Sequence, residues 1–177
     1  MRSFSEERRS GTLELLLTKP LTLWQIILGK YIGVMLLVLI VFLTTFIYLF
    51  PLYDLKLNTF SLDWGSTFIS YLGLILVSSV FIAMGLLSSL LTKSQVTAFM
   101  LALILCFIQF FLWKGIADLM LDSMTYNLFN QLGIFEHYQR LRQGLISIKD
   151  LIYFMALNLV LLRLSSLVLL RIKNKGW

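Results

Sequence analysis

Residues 31–53 read YIGVMLLVLIVFLTTFIYLFPLY and carry no charge. An α-helix rises about 1.5 Å per residue, so about 20 residues cross a hydrocarbon core of about 30 Å. The run is long enough to span a membrane. Further runs of the same kind follow. Residues 64–92 and 94–113 are charge-free, and a last apolar run, about 148–170, is interrupted at depth only by Arg163. The whole chain has the same character: 177 residues, 59% hydrophobic, only 14% charged, with a mean hydropathy of +0.87. Soluble domains carry about 25% charged residues. A core of this size cannot hide so much apolar surface, and the bilayer is its natural solvent. The expected fold is an all-α integral membrane helical bundle with four transmembrane helices, at about 26–53, 66–92, 94–113 and 148–170. A cytoplasmic amphipathic segment, 1–21, precedes the transmembrane domain, 22–177. An outer amphipathic helical hairpin, 114–147, joins the last two spans.

Charge orients the bundle. The net charge is +6. In a soluble protein that would suggest nucleic acid, but no basic patch is interleaved with exposed aromatics, so no nucleic-acid partner is expected. Lys and Arg concentrate instead at one set of ends: Arg2, Arg8, Arg9, Lys19 and Lys30 before the first span, Lys93 in the second turn, and Arg171, Lys173 and Lys175 in the tail. The connection 54–63 nets minus one, and 114–150 is balanced. Basic residues accumulate in cytoplasmic loops. Both termini are therefore expected in the cytoplasm and the protein in the cell inner (plasma) membrane. The charged start does not resemble a cleavable signal peptide. Cys106, the single cysteine, reads as a small buried hydrophobe.

The N-terminal stretch MRSFSEERRSGTLELLLTKPLTLWQIILGK is the densest in charge. Ser3 and Glu6 fit a capping box, predicting a short helix carrying Glu6, Glu7, Arg8 and Arg9, with Gly11 as its stop. Thr12 can cap a second short helix, with Glu14 near its positive end and Leu13, Leu16 and Leu17 on one side. Pro20 disfavours helical geometry at Lys19. Thr22 and Gln25 form a second capping box, and Leu21 and Ile26 can staple it.

Between the last two spans, Ile116, Leu119, Met120 and Met124 recur at helical spacing opposite Asp118 and Asp122. Phe135, Tyr138 and Leu141 do the same on a second piece that Gly144 can end. Two readings stand: amphipathic helices in the outer interface, or a small cap packed over the spans. Ser147 and Asp150 are placed to start the last span.

Polar groups at depth are few. Arg163 lies eight residues before Arg171, about 12 Å inward by helix rise. It either snorkels to the cytoplasmic face or serves a pathway or an ion pair. Gln109 and Asn158, with Thr44-Thr45, Ser78-Ser79, Ser88-Ser89 and Ser165-Ser166, can bond between helices or to their own backbone. Gly29-x-x-x-Gly33 and Gly85-x-x-x-Ser89 suit close helix approach. His137, the lone histidine, has no second His, Cys or acid cluster near it in sequence, which makes it a poor metal or catalytic candidate. No nucleophile–base pair, metal-ligand cluster or phosphate-binding loop stands out; Gly29-Lys30 is followed by Tyr31 and lacks the earlier glycine. No cofactor is expected, and the chain is not expected to be an enzyme. ATP chemistry, if used, belongs to another chain.

The run Ser3 to Pro20, with Glu7, Gly11-Thr12, Glu14 and Leu15-Leu16-Leu17, followed by Gly29-Lys30-Tyr31, resembles the signature of type 2 ABC-transporter permeases. In that family it lies between the second and third of six spans. Ser70-Tyr71-Leu72-Gly73-Leu74, Glu136-His137-Tyr138, Gly144, Asp150 to Phe154 and Trp177 resemble a narrower group, the gliding-motility-associated permeases (GldF-like, near the NosY-like permeases). The resemblance implies that Glu6, Glu7, Arg8, Arg9, Gly11, Thr12 and Glu14 lie at or near the contact with an ABC ATPase (nucleotide-binding) subunit. It implies a second permease subunit as homo- or heterodimer partner, and it leads to the expectation that the first two spans are missing here by truncation. The function expected is a permease subunit of an ATP-binding-cassette exporter. The alternative is a non-transporting membrane anchor or scaffold of a motility or secretion assembly.

Overall fold

A computed structural model describes residues 2–10, 22–48, 63–120 and 122–174, and within the first stretch the side chains of residues 4–7 and 10. The helix expected from Thr12, its stop at Gly11, Glu14, the Leu21 half of the staple and the connection 54–62 lie outside the described residues.

Seven helices make up the described chain: α1 (Arg2–Ser10), α2 (Leu23–Phe46), α3 (Trp64–Leu91), α4 (Gln95–Asp118), α5 (Ser123–Leu132), α6 (Ile134–Arg142) and α7 (Ile148–Asn174). No strand occurs among the described residues. Four of them, α2, α3, α4 and α7, are long and apolar enough to cross a membrane. Lipid offers no hydrogen bonds, so each span must satisfy its backbone internally, which a helix does. α3 is the hub. Over its most apolar window 56% is buried, against 11% for α2 and for α4. It packs against α7, α4, α6, α2 and α1. Val80, Ala83, Met84, Leu86 and Leu90 of α3 join Ile27 of α2 and Phe154, Leu162 and Leu169 of α7 in one apolar core.

Local signals set several boundaries. The Thr22 hydroxyl accepts from Gln25 N at 3.3 Å and the Gln25 side chain accepts from Thr22 N at 2.9 Å. Both halves of that capping box are therefore present. Asp63 caps α3 by accepting from Gly65 N at 3.0 Å. The other expected boxes differ. α1 begins at Arg2, which places Ser3 inside the helix rather than before it. α7 begins at Ile148, but the Asp150 carboxylate turns away to His137 and Arg140.

The outer segment departs most from expectation. α4 runs on to Asp118, past Trp113, and contains a π-helical turn at Ile108–Leu112. Ile116 thus belongs to the third span, while Met124 belongs to α5, and no single amphipathic piece joins them. The chain ends α4 with 3₁₀-type bonds, Leu119 N to Ile116 O and Met120 N to Ala117 O, and restarts from an extended Asp122. Trp113 stacks on Phe129, folding α5 back along the end of α4. α6 is a packed cap: Ile134, His137 and Leu141 are buried, and Phe135 and Tyr138 only half so. α5 buries no residue and leaves Met124 and Leu128 exposed.

Glycine matters at two outer positions. A Cβ at Gly73 would lie 3.0 Å from Leu141 Cβ, so α6 approaches α3 there. Gly144 has φ +79°. It closes α6 in a Schellman motif, with Gly144 N donating to Leu141 O and Leu145 N to Arg140 O. A Cβ there would meet Ser66 Oγ at 2.9 Å and Cα at 3.2 Å. Among the described residues nothing lies within 4 Å of a Cβ at Gly29 or Gly33, so that spacing marks no helix contact there. Gly144→Ala is expected to cost at least about 1–2 kcal/mol from the left-handed backbone alone and to lower the thermal midpoint in detergent. Gly29→Ala should leave it unchanged or raise it.

Candidate coupling site

α1 is held at one end of α3 by groups of three helices. The first N–H groups of a helix have no partner within it. Here the Ser89 hydroxyl of α3 accepts from Phe4 N at 3.0 Å and Ser5 N at 2.9 Å. Ser89 thus performs from another helix the service a preceding cap residue usually gives. Phe4 and Ser5 are buried. Lys30 of α2 pairs with the Glu7 carboxylate and lies 3.9 Å from the Phe4 ring centroid. A polar hollow of about 330 Å³, lined by Ser5, Glu6, Ser10, Lys93 and Gln95, opens beside it. Glu6 and Glu7 of the expected contact residues are therefore placed on one short helix, Glu7 turned to the bundle and Glu6 exposed. The side chains of Arg8 and Arg9, and residues Gly11, Thr12 and Glu14, are outside the description. Sequence reading missed Ser89, Lys30 and Gln95. The signals for Ser89 are its place in Gly85-x-x-x-Ser89 and in the pair Ser88-Ser89, neither of which names its partner.

The polar residues at depth form joints. Asn158 Nδ2 donates to Ser79 Oγ of α3 at 2.7 Å, and the Tyr31 hydroxyl of α2 donates to Asn158 Oδ1 at 3.3 Å. One amide thereby links three spans. Gln109, in the π turn of α4, donates to Leu132 O at 3.1 Å and to the Tyr153 hydroxyl at 3.0 Å, and accepts from Trp113 Nε1. Extra residues in a helical turn re-aim side chains, and here the re-aimed group ties α4 to α5 and α7. Most hydroxyls bond back to their own helix, as Thr44 to Val41 O, Ser88 to Gly85 O and Ser165 to Leu161 O. Arg163 is exposed, with its guanidinium 4.6 Å from the Trp24 ring centroid.

His137 is not isolated in space. Its Nδ1 lies 2.6 Å from Asp150 Oδ1 and its Nε2 2.9 Å from Gln131 O, and its ring stacks on Tyr153 at 3.9 Å. Arg140 Nε reaches both Asp150 oxygens at 3.2 Å. The acids absent near it in sequence are supplied by the fold, Asp150 from the start of α7. Both ring nitrogens are engaged and no nucleophile faces them. Among the described residues no group of three or more His, Cys, Asp or Glu could hold a metal. The cluster pins α6 to α7. The hydrogen bond to Asp150 raises the Arg140 guanidinium above its ordinary pKa; burial opposes this, and the charges of Asp150 and Glu136 add to it. Asp150 is fully buried, so Asp150→Asn removes the buried carboxylate that holds both His137 and Arg140, leaving Arg140 only Glu136, and is expected to cost about 3–5 kcal/mol. Glu136 meets Arg140 at 3.4 Å in a half-exposed i,i+4 pair, so Glu136→Gln should cost about 0–1 kcal/mol. Thermal unfolding of both variants in detergent checks the contrast; equal losses would refute it.

Comparison with curated proteins returns no match. The family profile described as ABC-2 family transporter protein matches residues 1–172, nearly the whole chain, including α1, all four apolar helices and the outer cap. The chain belongs to the ABC-2 transporter family and is a multi-pass membrane component of an ABC transporter.

Proposed function

We propose that this chain is a permease subunit driven through α1 by a separate ABC ATPase subunit, with a second permease subunit completing the complex. The observation that carries this reading is the double attachment of α1. Ser89 holds its backbone to α3, and Lys30 holds Glu7 to α2. A partner that displaces α1 therefore acts on two spans at once. The exposed Glu6 side and the adjoining hollow are the docking face, and Glu7 is the transmitting side chain. In this reading α1 lies in the cytoplasm, both termini with it, in the inner (plasma) membrane. Export is the direction proposed, with gliding motility as the setting that the narrower resemblance suggests. No nucleotide is hydrolysed by this chain; ATP binding in the partner does the pulling.

The division of labour within α1 is testable. Glu6→Lys with Arg8→Glu reverses charge on the docking helix. It should reduce co-purification with the ATPase roughly tenfold or more, as interfacial charge reversals commonly cost several kcal/mol. Glu7→Gln should leave co-purification near that of the parent chain while lowering ATPase stimulation by the reconstituted complex. If both variants bind and stimulate as the parent does, coupling through α1 is wrong. Stimulation by transported substrate in liposomes separates a permease from a scaffold, which would show none.

A further inference from the structure

At the end of the bundle that carries α1, Arg163 and Trp24 lie against each other, and neither has a hydrogen-bond acceptor among the described residues. Arg163 is the only charge deep in an apolar run. Its side chain is exposed, and its guanidinium lies over the Trp24 ring, 4.6 Å from the centroid. Trp24 sits in the first turn of α2, directly after the Thr22 cap, and packs partly into the core. Among the described residues no carboxylate pairs with Arg163, and no acceptor lies within hydrogen-bond distance of the guanidinium or the Trp24 indole N–H. The other basic side chains near this end behave differently. Lys30 is taken by Glu7 and Phe4, and Arg171 lies eight residues beyond Arg163, about 12 Å along α7.

Indole rings concentrate at the membrane–water interface. Trp24 therefore sets the depth of this pair near the headgroups, and the Arg163 stem need only snorkel a short way to reach it. A guanidinium presents a planar fork that matches phosphate oxygens bidentately, and stacking on an aromatic face leaves its in-plane N–H groups free to donate. A carboxylate in this place would have served as well, and none is supplied among the described residues.

We propose that Arg163 and Trp24 form a headgroup site for an anionic phospholipid on the membrane face that carries α1. The recognised chemistry is a phosphate with net negative charge. Arg163 binds it through the guanidinium fork, and Trp24 orients that fork and adds its indole N–H. The assignment does not depend on the transport reading or on which side of the membrane this face occupies. Its consequence is local. A lipid held at Trp24 fixes the first turn of α2, immediately after the stretch that joins it to α1.

The test is native mass spectrometry of the full chain released from micelles equilibrated with equimolar phosphatidylglycerol and phosphatidylcholine. The parent chain should retain phosphatidylglycerol with about fivefold preference, the size expected for one basic residue near a charged surface. Arg163→Gln should abolish the preference, Arg163→Lys keep part of it, and Trp24→Phe, which retains the ring and loses the N–H, reduce it. Arg171→Gln should leave it intact. Circular dichroism confirms that each variant keeps its helix content. No preference in the parent chain, or an equal loss in Arg171→Gln, would overturn the site. Displacement of the retained lipid by millimolar inorganic phosphate would assign it to a soluble anion instead and overturn the lipid reading.

Discussion

The bundle depends on a polar constraint more than on an apolar one. Lipid is as apolar as leucine, so helix association in a membrane draws little from burying hydrocarbon and relies on packing and interhelical hydrogen bonds. Asn158 is the strongest such constraint. Its amide meets Ser79 of α3 and Tyr31 of α2 from α7. An unsatisfied amide in hydrocarbon costs several kcal/mol, so an arrangement that breaks this joint must supply other partners. The joint fixes the register of three spans, and α3 becomes the hub because Ser79 lies near its middle. Small residues around it, Gly73, Ala83 and Ser88, let neighbours pack closely, and each is buried.

The two ends of the hub are closed differently. At the end that carries α6 a buried carboxylate does the work. Asp150 draws in His137 and Arg140, and α6 is held against α7, while Gly73 lets it approach α3 and Gly144 lets the chain turn back over Ser66. Losing the buried Asp150 carboxylate takes a hydrogen-bond partner from both His137 and Arg140, so this end is stiff. At the end that carries α1, the contacts among the described residues are the buried Phe4 ring, a shared hydroxyl cap and one partly buried ion pair, Lys30 with Glu7. Desolvation offsets much of the attraction of a partly buried pair, and a capping hydroxyl contributes about 1 kcal/mol. None of these polar contacts is strong on its own.

What could be read from the chain follows from the range of each interaction. Spans were legible because membrane thickness fixes a length and lipid forbids charge within it. The Thr22–Gln25 box was legible because its partners are three residues apart. The Ser3 cap failed because the helix starts earlier, at Arg2, and the amides of Phe4 and Ser5 go to Ser89, a residue 85 positions from Phe4 that no local pattern connects to it. The same holds for His137, whose acid lies on the next helix. The π turn at Ile108–Leu112 has no compositional mark in an all-apolar run, and it displaced the expected end of the third span. Gly29 and Gly33 show the limit of spacing motifs: spacing gives a small-residue face but not what approaches it, whereas Gly73, in no such motif, is where a helix does. In the candidate coupling site Glu6 and Glu7 were legible as neighbours on one short helix. Which of them turns inward was not, because that depends on where Lys30 emerges from α2.

The unequal ends bear on how motion would pass through the chain. A coupling element must be attached firmly enough to pull on the spans and loosely enough to change position without unfolding them. Polar contacts that are individually weak meet both conditions, since together they bias a position that a partner's binding energy can readily override. The outer cluster cannot serve this way. Its disruption costs several kcal/mol, so the outer cap moves with α7 or not at all. Between the two ends lies the Asn158 joint, which keeps α2, α3 and α7 in register. A displacement of α1 is thus delivered first to the inner ends of α2 and α3, through Lys30 and Ser89. Below that joint α2 and α3 can splay; above it they move as one body with the cap.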